Sequence, residues 1–320
     1  MRTRTSRPLL RILIGCRVGI FDWLFGRNRK TPPAPPRRFD LNELARRLKL
    51  APQALSGVRP TYHQFTIPKR SGGQRTINAP DPQLKKLQRL ILRRLLTRLA
   101  AHPAATGFER GHSIVTNALP HAGKAIILKL DIRDFFPSIP AERVEACFRF
   151  IGWDEQSATI LTRLCTHDGS LPQGAPTSPR LSNLVNRRLD ERLDAIARQM
   201  NCAYTRYADD ITFSSDSDPP ASHVRKGRIN GLIFLTKRIL AEEGFTLHLR
   251  KKLQIRRRHQ RQEVTGLVVN SAPALPRATR RWLRAVEHHA ATNRPITIGP
   301  IQLQGWRALK NMIVQQIAAE

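Results

Sequence analysis

The chain has 320 residues, and its 55 Lys and Arg against 24 Asp and Glu leave a formal charge of +31. A surplus of that size calls for a polyanionic partner, because neutralising a phosphate backbone releases condensed counterions and drives association. The charge is spread along the whole chain, which disfavours a juxtamembrane patch for anionic lipid, and Cys16, Cys147, Cys165 and Cys202 lack the paired spacing of a zinc ribbon or disulfide framework, so a reducing cytoplasm is expected.

From the N-terminus, the apolar run Leu9 to Phe25 is interrupted by Arg11, Arg17 and Asp22. It is too short and too charged to enter a bilayer and reads as an amphipathic helix, with no membrane partner. Thr31-Pro-Pro-Ala-Pro-Pro36 with Arg37 and Arg38 is a polyproline-type spacer. It sets residues 1–38 apart as a basic extension and linker. Asp40, with Glu43 as its reciprocal acid, opens a helix to about Leu50. Tyr62 to Pro68 and Gln74 to Asn78 alternate as two strands, joined by the cationic loop Lys69-Arg-Ser-Gly-Gly73. Such a basic hairpin is suited to folding over a triphosphate. Asp81-Pro82 caps an amphipathic helix bearing Leu84, Leu87, Ile91 and Leu95.

Ala125 to Leu130 is a short apolar strand that runs directly into Asp131. A mixed helical region follows to about Cys165, and Ser178-Pro179 starts a helix through Leu189 and Ile196. Ala203 to Arg206 and Ile211 to Ser214 then form a tight hairpin with Asp209 and Asp210 at its bend. A helix from Ile229 to Glu243 ends at Gly244, a left-handed cap, before a strand at Phe245 to Leu249. Two more helices are expected, Thr279 to His288 and Gln302 to Ala319. The alternation predicts an α+β chain built on a split βαβ sheet.

Adjacent anions such as Asp209 and Asp210 repel unless a cation lies between them, and a divalent metal is the usual answer. Pairing the Asp131 strand beside the hairpin would add a third carboxylate. Three carboxylates at strand ends can hold two Mg²⁺ ions roughly 3.5–4 Å apart, the clamp of an in-line phosphoryl displacement.

The same residues, in the same order, resemble a reverse transcriptase. The likeness rests on Ile67-Pro-Lys-Arg-Ser-Gly-Gly73 with Arg75, Gly107-Phe-Glu-Arg-Gly111 and Leu130-Asp-Ile-Arg-Asp-Phe-Phe136. It continues through Leu171-Pro-Gln-Gly-Ala-Pro-Thr-Ser-Pro179, Tyr207-Ala-Asp-Asp210 and Gly244-Phe-Thr-Leu247 with Lys251. Asn117-Ala-Leu-Pro-His121 and Val264-Thr-Gly266 are similar to the two signatures of retron reverse transcriptases. His248 departs from the family's usual Asn, which leaves the motif lysine at Lys251 or Lys252.

The resemblance implies a right-hand polymerase with fingers and N-terminal helices at 39–116, a palm at 117–270 and a helical thumb at 271–320. It implies catalytic Asp131, Asp209 and Asp210 on two Mg²⁺ ions, with Mn²⁺ as a substitute. Nucleotide contacts fall to Lys69, Arg75, Phe136, Gln173, Gly174 and Lys251, with Phe136 as the ring that excludes a ribose 2′-hydroxyl. RNA contacts fall to Asn117, His121, Val264, Thr265, Gly266, Arg277, Arg280, Arg281 and Arg284. The implied activity uses a cognate structured noncoding RNA as template and 2′-hydroxyl primer, consumes dNTPs, passes through an RNA–DNA hybrid and leaves branched multicopy single-stranded DNA. Defence against phage with an effector or toxin protein is the implied setting. Two other readings use the same residues, a group II intron-like or diversity-generating reverse transcriptase and an inactive RNA-binding scaffold. The intact acids weigh against the scaffold, and the lack of an added maturase or endonuclease segment against an intron protein.

Overall fold

Asp40 caps the first helix, α1 (Leu41–Leu48), by accepting from the Glu43 N–H at 2.8 Å, and Lys49 ends it in the left-handed region at φ 55. Glu43 does not reach back to the cap as expected; its carboxylate is taken by Arg46 and Arg47. The structure, a computed structural model, describes residues 38–69, 72–217, 223–248 and 253–319. The expected N-terminal amphipathic helix, its proline spacer, Lys251 and Lys252 lie outside the described residues.

After α2 (Pro52–Gly57), strands β1 (Tyr62–Pro68) and β2 (Gln74–Pro80) form a separate antiparallel ribbon in the register Ile67↔Arg75. Asp81 caps α3 (Pro82–Ile91) with bonds from Gln83 and Leu84 N–H, and Leu84, Leu87 and Ile91 are buried as their spacing predicts. The short α4 (Ile114–Ala118) carries a reciprocal cap between Ser113 and Thr116.

The central sheet is made of β3 (Ile126–Asp131), β4 (Ala203–Tyr207), β5 (Asp210–Ser215) and β6 (Gln254–Arg257), in the order β4-β5-β3-β6, with every pair antiparallel. Between β3 and β4 run α5 (Ala141–Phe150), α6 (Glu155–Cys165), α7 (Ser178–Val185) and α8 (Arg187–Gln199). Between β5 and β6 runs α9 (His223–Glu242). This is a β-α-β-β-α-β arrangement, the split βαβ topology read from the sequence. The sheet's fourth strand comes from the basic segment after Leu253, which its charge had hidden.

Two expectations are corrected. The helix from Ser178 through Ile196 is two helices, broken at Asn186, which is fully buried and accepts from Arg143 Nη2 at 3.1 Å. The strand expected at Phe245 to Leu249 is a single bridge, Ile132↔Leu247, with backbone bonds from Arg133 N–H to Thr246 O and from His248 N–H to Asp131 O. Leu249 lies outside the described residues.

Leu128, Leu130, Ile211 and Phe213 face the helices in the main core. A second core gathers Val115, Ala118 and Ile127 with Val264 and Leu267 of the small hairpin β7 (Glu263–Val264) and β8 (Leu267–Val268). It also takes in Leu283 and Val286 of α10 (Arg277–Ala291) and Leu303 and Ile313 of α11 (Pro300–Ala318). The Trp282 and Trp306 rings meet edge to face at 5.5 Å and join those two helices. Among the described residues no helix is long and apolar enough to cross a membrane.

Candidate active site

Strand alternation puts Asp131 on the same sheet face as Ile127 and Lys129, opposite to Leu128 and Leu130. The register pairs Asp131 directly with Asp210 on β5, and Asp210 with Tyr207 on β4. Ala208 and Asp209 are therefore the two-residue turn, and Ile132 N–H donates to Asp209 O at 2.9 Å, which ties that turn to the end of β3. His248 N–H donates to Asp131 O at 2.9 Å from the other side. Asp131 is buried and Asp209 and Asp210 are half-buried.

Ala208 has φ +57, a conformation that glycine adopts more readily and that this tight hairpin demands at its first central residue. Two contacts hold it there. Arg206 Nη1 donates to Ala208 O at 3.1 Å, and Gly107 lies so close that a Cβ on it would stand 2.7 Å from Ala208 N. Arg206 is itself fully buried, forked onto Asp190 of α8 at 2.7 and 2.6 Å, while Tyr204 OH donates to the same carboxylate at 2.7 Å. Burial opposes the guanidinium charge, yet Asp190 outweighs it and keeps Arg206 protonated. The sequence reading missed this pair. Its signal was present: Arg206 continues the alternation of Tyr204, and Asp190 falls on the apolar stripe of Leu189, Leu193 and Ile196.

The Gly107 loop is anchored by Asn183, whose Nδ2 donates to Gly107 O at 2.6 Å and to Glu109 Oε1 at 2.8 Å, and by the ion pair of Arg180 with Glu109. Phe136 is half-buried beside the core residue Phe135, with ring centroids 5.4 Å apart. Lys69 and Arg75 are exposed at the turn end of the β1–β2 ribbon, where Lys69 N–H donates to Gly73 O at 2.9 Å.

Gln173 O accepts from Asn78 N–H of β2 at 2.8 Å, so the Leu171 to Pro179 loop is joined to the ribbon. Gly174 has φ +133, and a Cβ there would lie 2.8 Å from Asn78 O and 2.9 Å from Ile77 Cγ2. The close approach that demands glycine is thus made by β2. Gly174→Ala is expected to lower stability by about 1–3 kcal/mol by prising the loop from the ribbon, which a urea titration would measure; an unchanged midpoint would mean the ribbon yields freely.

The two signature segments meet. The side chains of Asn117, His121 and Val264 are buried and turned to partners inside the protein. Asn117 Oδ1 accepts from Thr106 Oγ1 at 2.6 Å, and its Nδ2 approaches Thr265 Oγ1 at 3.5 Å. Thr265 Oγ1 donates to Ile114 O at 2.9 Å, and Thr265 and Gly266, with φ 46 and 83, form the turn of the β7–β8 hairpin. Gly266 is exposed and Thr265 half-buried. Arg277, Arg280, Arg281 and Arg284 are all exposed along α10, opposite buried Leu283 and Val286.

His121 bridges the β4–β5 hairpin, its ring nitrogens 2.7 Å from Ser214 Oγ and 2.8 Å from Thr205 Oγ1. Burial, helped by the nearby Lys124 charge, pushes its pKa down to about 3. The unfolded chain can take up a proton near its ordinary pKa of about 6.5 while the folded one cannot, so this stability is full above that pH and falls as pH drops toward 3. The expected loss is about 1.4 kcal/mol per pH unit below that point. Urea unfolding at a series of pH values should show that component in the native chain and lose it in His121→Gln.

Among the described residues, no three His, Cys, Asp or Glu side chains already converge to hold a metal ion. The strand register sets two carboxylates, Asp131 and Asp210, side by side. Paired residues on adjacent strands have Cβ atoms about 4.5–5.5 Å apart, within side-chain reach of a shared ion, and carboxylate oxygens are the donors a hard divalent cation takes.

The reverse transcriptase (RNA-dependent DNA polymerase) family profile matches residues 67–269. The chain is 39% identical over 279 residues to the retron Mx162 reverse transcriptase of Myxococcus xanthus, and 39% identical over 270 residues to the retron Mx65 reverse transcriptase of the same organism. The matches take in 78% and 79% of this chain but 57% and 61% of those proteins, so the chain spans about three-fifths of their length. The retron Ec86 reverse transcriptase of Escherichia coli is 36% identical over 77% of this chain and 74% of that protein. The chain belongs to the retron reverse transcriptase family. A telomerase chain from Candida albicans, solved with a fragment of telomeric RNA, covers 76% of this family member at a TM-score of 0.46 and 11% identity, with 52% of that chain covered. The family as a whole works with divalent metal ions.

Proposed function

We propose that this chain is an RNA-directed DNA polymerase of retron type. It copies a cognate structured noncoding RNA from a 2′-hydroxyl of that RNA, and the product is branched multicopy single-stranded DNA made in antiphage defence with an effector partner. The observation that carries the reading is the register that sets Asp131 opposite Asp210, with Asp209 in the adjoining turn. A cytoplasmic setting belongs to the same reading.

In this reading Asp131, Asp209 and Asp210 hold two Mg²⁺ ions, for which Mn²⁺ substitutes. Bound there, the ions supply acidification of the primer hydroxyl and charge neutralisation at the leaving pyrophosphate. Lys69 and Arg75 bind the nucleotide phosphates through charge-assisted hydrogen bonds. Phe136 walls off the ribose 2′-hydroxyl, and Gln173 with Gly174 lines the nucleotide beside β2. Lys251, outside the described residues, is assigned to the leaving pyrophosphate. Residues 39–116 act as fingers, 117–270 as palm and 271–320 as thumb. Arg277, Arg280, Arg281 and Arg284 bind the RNA–DNA hybrid or an RNA stem through phosphate and shape.

The test is extension of a primed RNA by the purified chain with dNTPs and Mg²⁺. Template-directed DNA is the expected product, and no extension refutes the polymerase. For the retron type, host DNA upstream of the gene should encode a transcript with inverted repeats around a branch-site guanosine. Its absence, together with absence of branched DNA, favours the intron-like or diversity-generating alternative. Binding to the RNA should weaken steeply with salt, and replacing Arg280 and Arg281 by Ala should lower the slope of log K against log salt by about 1–2.

A further inference from the structure

Phe108 has φ +65, the left-handed region that a bulky side chain rarely occupies, and it is 45% exposed. Strain of this kind persists only where the surroundings enforce it, and it gathers at working sites. Here both neighbours are clamped: Gly107 has no room for a Cβ against Tyr207 and Ala208, and Glu109 is paired with Arg180. These clamps fix the backbone that carries the Phe108 ring. Its centroid lies 6.4 Å from Phe136 and 6.2 Å from Tyr207, so three rings run from the proposed sugar wall to the catalytic turn. A wall that rejects one oxygen atom works only if it cannot swing aside. Phe135 holds Phe136 from the core, and Phe108 is the second ring contact, supplied by a different loop.

We infer that Phe108 is a specificity-determining residue: by bracing Phe136 it sharpens the choice of deoxynucleotides over ribonucleotides. The inference rests on the polymerase reading above and adds a residue to its selectivity. The test is single-nucleotide extension with a dNTP and the matching rNTP, with the ratio of the two kcat/KM values as the readout. A ratio measured on one preparation is insensitive to the folded fraction, and Phe108→Gly removes the ring while suiting the left-handed backbone. The ratio is expected to fall about threefold to tenfold in Phe108→Gly, the range of one aromatic pair, and by less in Phe108→Leu. Phe136→Ala should lose more, and adding Phe108→Gly to it should change nothing further. A ratio unchanged in Phe108→Gly, or a loss fully additive with Phe136→Ala, overturns the inference while leaving the polymerase intact. A native chain that extends with neither nucleotide overturns the polymerase reading itself.

Discussion

Asp209→Asn is expected to reduce DNA synthesis on a primed RNA template by about 10²- to 10³-fold or more, the scale on which a single preorganised electrostatic group acts. The substitution keeps the size of the side chain and the two-residue turn, but it removes one of the negative charges gathered beside Asp131 and Asp210. Asp131→Asn should act alike, since its strand pairs it with Asp210. A second measurement separates loss of metal binding from loss of fold. Whatever binds the folded state alone stabilises it, by about 2.7 kcal/mol at a ligand concentration of 100 Kd. Thermal unfolding of the native chain should therefore move upward as Mg²⁺ or Mn²⁺ is titrated, while the two variants should respond far less. Equal activity in Asp209→Asn would remove the carboxylates from the mechanism.

The largest loss of stability is expected at a residue that touches no substrate. Asp190→Ala leaves the fully buried Arg206 guanidinium without its counter-charge and takes the acceptor from Tyr204 OH. Breaking a buried pair from one side costs about 3–5 kcal/mol, read as a lower urea midpoint with an unchanged m value. Replacing both partners by apolar residues, as in Asp190→Leu with Arg206→Met, should restore much of that stability, because no charge is then stranded. Activity should not return with it. Arg206 also donates to Ala208 O, so the double variant has a stable sheet but a turn held only by its contact with Gly107. Full activity in that double variant would show that the turn holds itself.

Much of the architecture was legible because local rules and tertiary packing agree. Asp40 and Asp81 cap the helices they announce, the two strands of the β1–β2 ribbon pair about their glycine turn, and the apolar run before Asp131 is an inner strand of the sheet. Readings failed where a long-range contact overrode a local pattern. Asn186 breaks an otherwise continuous helical stripe because it is buried against Arg143, and the basic segment at Gln254–Arg257 becomes a strand because β3 offers it an edge. The signature residues Asn117, His121 and Val264 were readable as a motif but not as a location. Polar side chains in a motif look alike whether they meet RNA or Thr106, Thr205 and Ser214.

By itself the order of residues determined the chemistry on offer: three carboxylates, a cationic hairpin and an excess of positive charge for a polyanion, each a property of side chains that needs no partner to be recognised. Only the tertiary structure decided which of those side chains meet. Asp131 lies 78 positions before Asp209, and no local periodicity carries information over that span. The register of β3 on β5 brings them together, and the buried Arg206–Asp190 fork, formed only once helix and strand are packed, holds the turn that carries Asp209.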